Sequence, residues 1–451
     1  MSDARSPIVA MNLAVLRASD GLRYGAMGLP LAFVALPLYV TLPNHYAREF
    51  AMPLATLGAM LLGVRLLDAV IDPLLGRLTD RLFARSLRAV LAMAALACAV
   101  LAVSFAGLFF PPQREPLALL VWAAVLLIVT STAYSLLAIA HQSWGAMLGG
   151  GESYRSRVVA WREGLGLAGV VLASLTPVLL GLGATAALFA VALALGWLAW
   201  LGAPRPRVAP MTDTDGPDAT SQPAQPSGLW RPLAHPSFRR LLLVFLLNGI
   251  ASAIPATLVL FFVQDQLQAA APMEALVLAV YFISAGASLP LWMRAVQAFG
   301  LERSWLAGML LAIASFAGAT LLGPGDAGWF LLVCAASGIA LGTDLALPGA
   351  LLAGLIGSHG DRGRAEGAYF GWWNFAAKLN LALAAGLSLP LLALAGYTPG
   401  ARDAQALQAL TLAYCVLPCL LKLLAAGALQ WLVIRPARRQ VFAAPLLRST
   451  R

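Results

Sequence analysis

Asp68 and Asp72 stand four residues apart in the run Leu61-Leu62-Gly63-Val64-Arg65-Leu66-Leu67-Asp68-Ala69-Val70-Ile71-Asp72-Pro73, with Arg65 three residues ahead of them. On a helix this spacing puts both carboxylates on one face, one turn apart, and the guanidinium on the same stripe. Two such carboxylates repel unless a cation lies between them or one is protonated, so the pair can hold Na⁺ or H⁺. The alternative is a structural cluster neutralised by Arg65. Ionisable groups cost about 2.5–3.5 kcal/mol at the centre of a membrane helix and usually mark ion pathways, which favours the first reading. Lys378, one of two lysines in the chain, lies deep in another apolar run and needs a carboxylate, for which the Asp68/Asp72 pair is the natural partner. The other lysine, Lys422, is read as snorkelling to an interface. Asp80 and Arg81 end the second apolar segment and read as a salt bridge that steadies one conformation.

Helices long enough to cross a bilayer must position these groups, and the composition supplies them. Of 451 residues, 60% are hydrophobic and 11% charged, and the mean hydropathy of +0.81 lies outside the balance of a soluble domain. Continuous Leu/Ala/Gly-rich runs of about 20 residues recur, each able to cross roughly 30 Å of hydrocarbon. A β-barrel would alternate polar and apolar residues instead. The expected fold is an all-α membrane protein of about twelve transmembrane helices.

The net charge of +10 sits in alternate loops, at Arg5, Arg17, Arg23, then Arg77, Arg81, Arg85, Arg88, then Arg155 and Arg157. The positive-inside rule therefore places both termini and the central loop in the cytoplasm, in an inner membrane. With no basic stripe carrying interleaved aromatics, nucleic acid is not an expected partner. Residues 1–203 read as one six-helix bundle and 238–435 as a second, followed by a cytoplasmic tail at 436–451. Residues 204–237, with Asp213, Asp215, Asp218 and many Pro, Ser and Gln, read as a flexible linker. Cys98, Cys334, Cys415 and Cys419 lie in apolar runs and read as packing residues, and no cleavable signal is expected at the start. Two such halves joined by a polar linker are the arrangement of the major facilitator superfamily, whose halves rock about a midplane site.

A more specific resemblance rests on motifs. The run from Arg65 to Arg81, Arg-x-x-Asp-x-x-x-Asp-Pro-x-x-Gly-x-x-x-Asp-Arg, resembles that of the glycoside-pentoside-hexuronide:cation symporter family, the melibiose permease group. Tyr24-Gly25, Gly28-Leu29-Pro30 and Leu36-Pro37-Leu38-Tyr39-Val40 are similar to that family's opening helix. So are Tyr154-Arg155-Ser156-Arg157 with Trp161-Arg162, Gly342-Thr343-Asp344-Leu345-Ala346-Leu347-Pro348, and Gly367-Ala368-Tyr369-Phe370-Gly371-Trp372-Trp373 leading to Lys378. The resemblance implies coupling of an organic solute to Na⁺, Li⁺ or H⁺, with Asp68 and Asp72 at the cation site and Arg162 and Lys378 facing the cavity. It also assigns Arg65, Asp80, Arg81 and Arg155 to gating or the cytoplasmic motif.

Departures from the family pattern bear on the cargo. Its sugar-binding carboxylates align here near Ala32 and Leu137, and the amide that often precedes the second aspartate is Ile71, which tilts the ion towards H⁺. Thr132 and Tyr134 are the candidate fourth-span cation ligands. His141, Gln142 and Trp144 lie further along that span; His141 is either a packed residue or, if it faces the cavity, a proton-coupling group. Arg162 either pairs with adjacent Glu163 or reaches a substrate oxygen. Tyr369, Trp372 and Trp373 form either a stacking platform for a sugar ring or packing, and Asn374 and Asp344 are polar groups suited to the cavity or gate.

The expected function is cation-coupled symport of a small polar solute, a sugar or glycoside, by a monomer with no cofactor beyond H⁺ or Na⁺. Transport of an amphiphilic solute is the alternative that apolar residues at Ala32 and Leu137 favour, and a non-transporting sensor is another. No HExxH, nucleophile elbow or Walker A loop occurs, so an enzyme is not expected.

Overall fold

A computed structural model describes residues 16–206, 228–398 and 400–436, which form helices and turns with no strand among them. Most of the expected linker and nearly all of the expected tail lie outside the described residues. The helices are α1 (Ala18–Gly25), α2 (Gly28–Phe33), α3 (Leu42–Glu49), α4 (Leu54–Arg85), α5 (Leu87–Phe109), α6 (Pro116–Met147) and α7 (Glu152–Leu201). They continue as α8 (Arg231–Ala234), α9 (Pro236–Phe261), α10 (Ala271–Phe299), α11 (Leu301–Ala319), α12 (Ala327–Ser358), α13 (Glu366–Leu394), α14 (Ala404–Thr411) and α15 (Leu417–Ala428). Among the described residues, 8 helices are long and apolar enough to cross a membrane.

Local chemistry sets the element ends. The side chains of Ser86, Glu115 and Asp403 accept the Ala89, Ala118 and Ala406 N–H groups and start α5, α6 and α14. Gly181 takes φ 80° inside α7, so α7 is two helices joined at a kink there. Only a residue without Cβ enters that region at low cost, so the two helical pieces meet with almost no loop. The opening segment is more broken than a single span: α1, α2 and α3 are separated by a turn and by a π-helical turn at Pro37–Thr41. Pro30, Pro37 and Pro43 each remove a backbone donor there.

The chain divides into two compact units, one of residues 1–234 with 353–375, the other of residues 235–352 with 376–451. The segment Ala353–Phe375, late in the sequence, thus groups with the first unit. In that unit Phe33 stacks on Phe189, which also meets Phe105. The second unit's core centres on Phe262 stacked on Tyr414, with Phe330 against both.

Candidate transport site

In the first unit α4 carries the acid pair, and exposure shows which way it faces. Asp68 and Asp72 are 5% and 0% exposed, whereas Leu66, Val70 and Leu74 are 51%, 64% and 55% exposed. The acids therefore point into the unit and the leucine and valine side chains line the opposite, outer surface. The Ser135 hydroxyl, on α6, donates to Asp68 Oδ1 at 3.0 Å. Ser135 was not among the expected ligands; it follows Ser131 by four residues on the buried face of α6, a spacing that marks it in retrospect. Thr132 and Tyr134 are only partly buried, and Tyr134 packs against the apolar core. Arg65 is partly buried on α4 and Arg81 is exposed.

Further along α4, Gly76 permits a backbone approach to α13. A Cβ on Gly76 would lie 2.1 Å from the Gly367 carbonyl oxygen, and one on Gly371 would lie 2.7 Å from that of Asp72. This contact brings Asp80 to the start of α13, where its two carboxylate oxygens accept the Gly367 and Ala368 N–H groups at 2.6 and 2.9 Å. Asp80 thus caps a helix that begins 286 residues later in the chain, satisfying donors that no helical carbonyl can reach. It holds these amides, where the sequence suggested Arg81. Gly76→Leu is expected to displace α13 and lower the thermal unfolding temperature of the purified protein more than Asp80→Asn, which keeps one acceptor and costs about 1 kcal/mol. Equal stability of Gly76→Leu and the native chain would contradict the close approach.

The remaining expected site residues of the first unit lie mostly in packed surroundings. His141 is fully buried; its Nε2 donates to the Tyr24 carbonyl at 2.8 Å, its ring stacks on that of Tyr24 at 4.3 Å, and Trp200 meets its edge. The Tyr24 hydroxyl donates back to the His141 carbonyl. A carbonyl only accepts, so Nε2 carries the proton of this imidazole. Trp144 is buried and donates from Nε1 to the Pro204 carbonyl. Arg162 pairs with Glu163 through both Nε and Nη2, the local alternative. Arg155 donates to the Gly150 carbonyl and lies against Gly354. Tyr369 is buried and donates to Asp361, which Arg231 also holds; Trp372 donates to the Leu229 carbonyl while its ring meets Trp230. Trp373 is buried and Asn374 partly buried. The aromatic group therefore packs and ties down the segment before Phe375, and Tyr369, fully buried, presents no open ring face.

The second unit holds a polar centre that the sequence showed only in part. Asp344 on α12 accepts four hydrogen bonds: from Asn248 Nδ2 and Trp305 Nε1 on one oxygen, both at 2.9 Å, and from Ser252 Oγ at 3.2 Å and Lys422 Nζ at 3.0 Å on the other. Lys422 also donates to Asn248 Oδ1 at 2.8 Å. Lys422 is 4% exposed, while Leu420 and Leu424 are 54% and 61% exposed. The expected snorkelling of Lys422 is thus replaced by an inward ion pair, because two residues along a helix turn a side chain to the far side. Asn248 was missed; a lone amide in the apolar run Leu241–Ile254 was its signal. Lys378 is partly buried on α13.

The chain resembles in structure a bacterial homologue of the iron transporter ferroportin in an outward-facing state, at TM-score 0.66 and 16% identity over 91% of this chain and 100% of that one. It also resembles the E. coli fucose:proton symporter, at TM-score 0.61 and 15% identity over 93% of this chain and 99% of the other. At such identities the likeness is one of fold. No curated protein matches the sequence. The model of the MFS/sugar transport protein family matches residues 21–434, nearly the full described length. The chain belongs to the MFS/sugar transport protein family and is a multi-pass membrane transporter of major facilitator fold.

Proposed function

We propose that the protein is a cation-coupled symporter of a small polar solute, a sugar or glycoside, that works by alternating access. The observation that carries this reading is the buried pair Asp68 and Asp72 on one face of α4, with the Ser135 hydroxyl on Asp68. Two buried carboxylates one turn apart are most stable with a cation or proton between them, so binding and release of that charge can drive a change of state. Family membership supports a sugar or related solute. The Ile71 side chain beside the second acid offers no oxygen to an alkali ion, which favours H⁺ over Na⁺. In this reading Lys378 serves the solute while Arg162 is held by Glu163, and the chain acts as a monomer in the inner membrane with both termini in the cytoplasm.

The test is uptake of labelled sugars, glycosides and uronates into proteoliposomes under an imposed proton or sodium gradient. Accumulation that an ionophore collapses is the expected result. Accumulation indifferent to both gradients would overturn coupling. The second reading, an amphiphilic solute, is favoured by one observation: Leu137, at a sugar-carboxylate position of the similar family, is fully buried, and Ala32 offers no polar group either. Lysolipids in the same assay separate the two.

A further inference from the structure

Inside the second unit lies a cavity of about 150 Å³ whose walls include Tyr281, Phe282, Phe316 and Tyr414, with Asp344 and Lys422 at one side. Every lining residue belongs to that unit, on α9 to α12, α15 and the π-helical turn Leu412–Val416, so the cavity is distinct from the acid pair on α4. An apolar cavity of about this size accepts a benzene-sized ring.

The hydrogen-bond count at the polar side says what that ring must carry. A carboxylate offers about four acceptor sites, and Asp344 has four donors on it. An ammonium has three N–H donors, and among the described residues Lys422 uses two, on Asn248 and Asp344. Lys422 is 4% exposed and lines the cavity, so a ligand held there can meet its third donor. A buried donor left without an acceptor is costly, and a ligand oxygen there would satisfy it. Tyr281 lines the same cavity. Asp344 and Lys422 cancel in charge, so an anionic ligand would add an unbalanced charge to an apolar chamber; a neutral one adds none. Aromatic walls favour an aromatic ring through edge-to-face and offset contacts.

We infer that this cavity is a ligand site for a neutral, phenol-sized ring whose oxygen accepts from Lys422, with the ring seated among Tyr281, Phe282, Phe316 and Tyr414. It stands independently of cation coupling at Asp68 and Asp72.

The experiment is ligand-observed ¹⁹F NMR of 4-fluorophenol with the purified full-length protein in nanodiscs, with empty nanodiscs as the partition blank and fluorobenzene and 4-fluorobenzoate as comparison probes. Saturable binding of 4-fluorophenol beyond the blank is expected, at least about tenfold tighter than either comparison probe, the scale of one hydrogen bond to a charged group. Ala312→Leu and Val259→Phe fill the cavity without touching the ion pair, and either folded variant is expected to abolish the signal. Asp344→Asn/Lys422→Met, which removes both charges and keeps the space, is expected to weaken binding about tenfold. Asp72→Asn is expected to bind the phenol like the native chain, so failure of the coupling reading does not disturb this one. No saturable binding, binding unchanged in the filled variants, or fluorobenzene binding as tightly as the phenol would overturn the assignment.

Discussion

Asp72→Asn, reconstituted in proteoliposomes, is expected to lose concentrative solute uptake by at least about 30-fold, the equivalent of roughly 2 kcal/mol at the coupling site. The substitution keeps shape and most hydrogen-bonding capacity while removing one charge from a fully buried position. Without that charge, Asp68 has no like-charged neighbour one turn away, and the drive to hold a cation between two carboxylates disappears. The variant should therefore still fold and still bind solute, because the lost interaction is between the pair and its ion. Ser135→Ala removes one hydroxyl donor from Asp68 and is expected to reduce uptake by only about fivefold, in line with a single net hydrogen bond. Normal ion-driven accumulation by Asp72→Asn would remove α4 from the coupling mechanism, whatever the solute proves to be.

Lys422→Met is expected to destabilise the purified protein by about 3–5 kcal/mol, the largest single effect on stability anticipated here. The ammonium lies 3.0 Å from an Asp344 oxygen, and both groups sit within the second unit. Removing the lysine leaves a carboxylate in apolar surroundings with three neutral donors and no countercharge. Asp344→Asn alone has the opposite fault, an ammonium without its anion. The combined Asp344→Asn/Lys422→Met variant should recover most of the loss, since an amide still accepts from Trp305 and no charge remains buried. Thermal unfolding of the four proteins, read as a double-mutant cycle, gives the coupling between the two groups. A single Lys422→Met protein as stable as the native chain would show that the pair contributes nothing.

The acid pair was legible because a helix converts a spacing of four directly into one shared face. Its partner on α6 was not, because the register of one helix against another is decided by packing, and Ser135 differs from Thr132 and Tyr134 by less than one turn. The pairing of Asp344 with Lys422 lay out of reach for a similar reason. The two are 78 residues apart, and rotation of α15 about its axis determines whether that lysine meets lipid or protein. Asp80 shows the same limit from another side: its motif suggested an ion pair with the adjacent Arg81, yet backbone amides far along the chain are what it holds. Small residues made that contact possible, and Gly76 and Gly367 carry no sequence signal for which helix they will meet.

Composition, charge alternation and the carboxylate spacing by themselves determined that this is a helical multi-pass membrane protein with an ionisable pair on its second apolar segment. These properties are local or additive: hydrocarbon burial sums over a segment, and a helical face follows from residue number. Only the tertiary structure decided that His141 packs against Tyr24, that Lys422 turns inward to Asp344, and that the segment before Phe375 is tied to α4. Those outcomes depend on which side of each helix finds a complementary neighbour, and that complementarity exists only once the helices have packed.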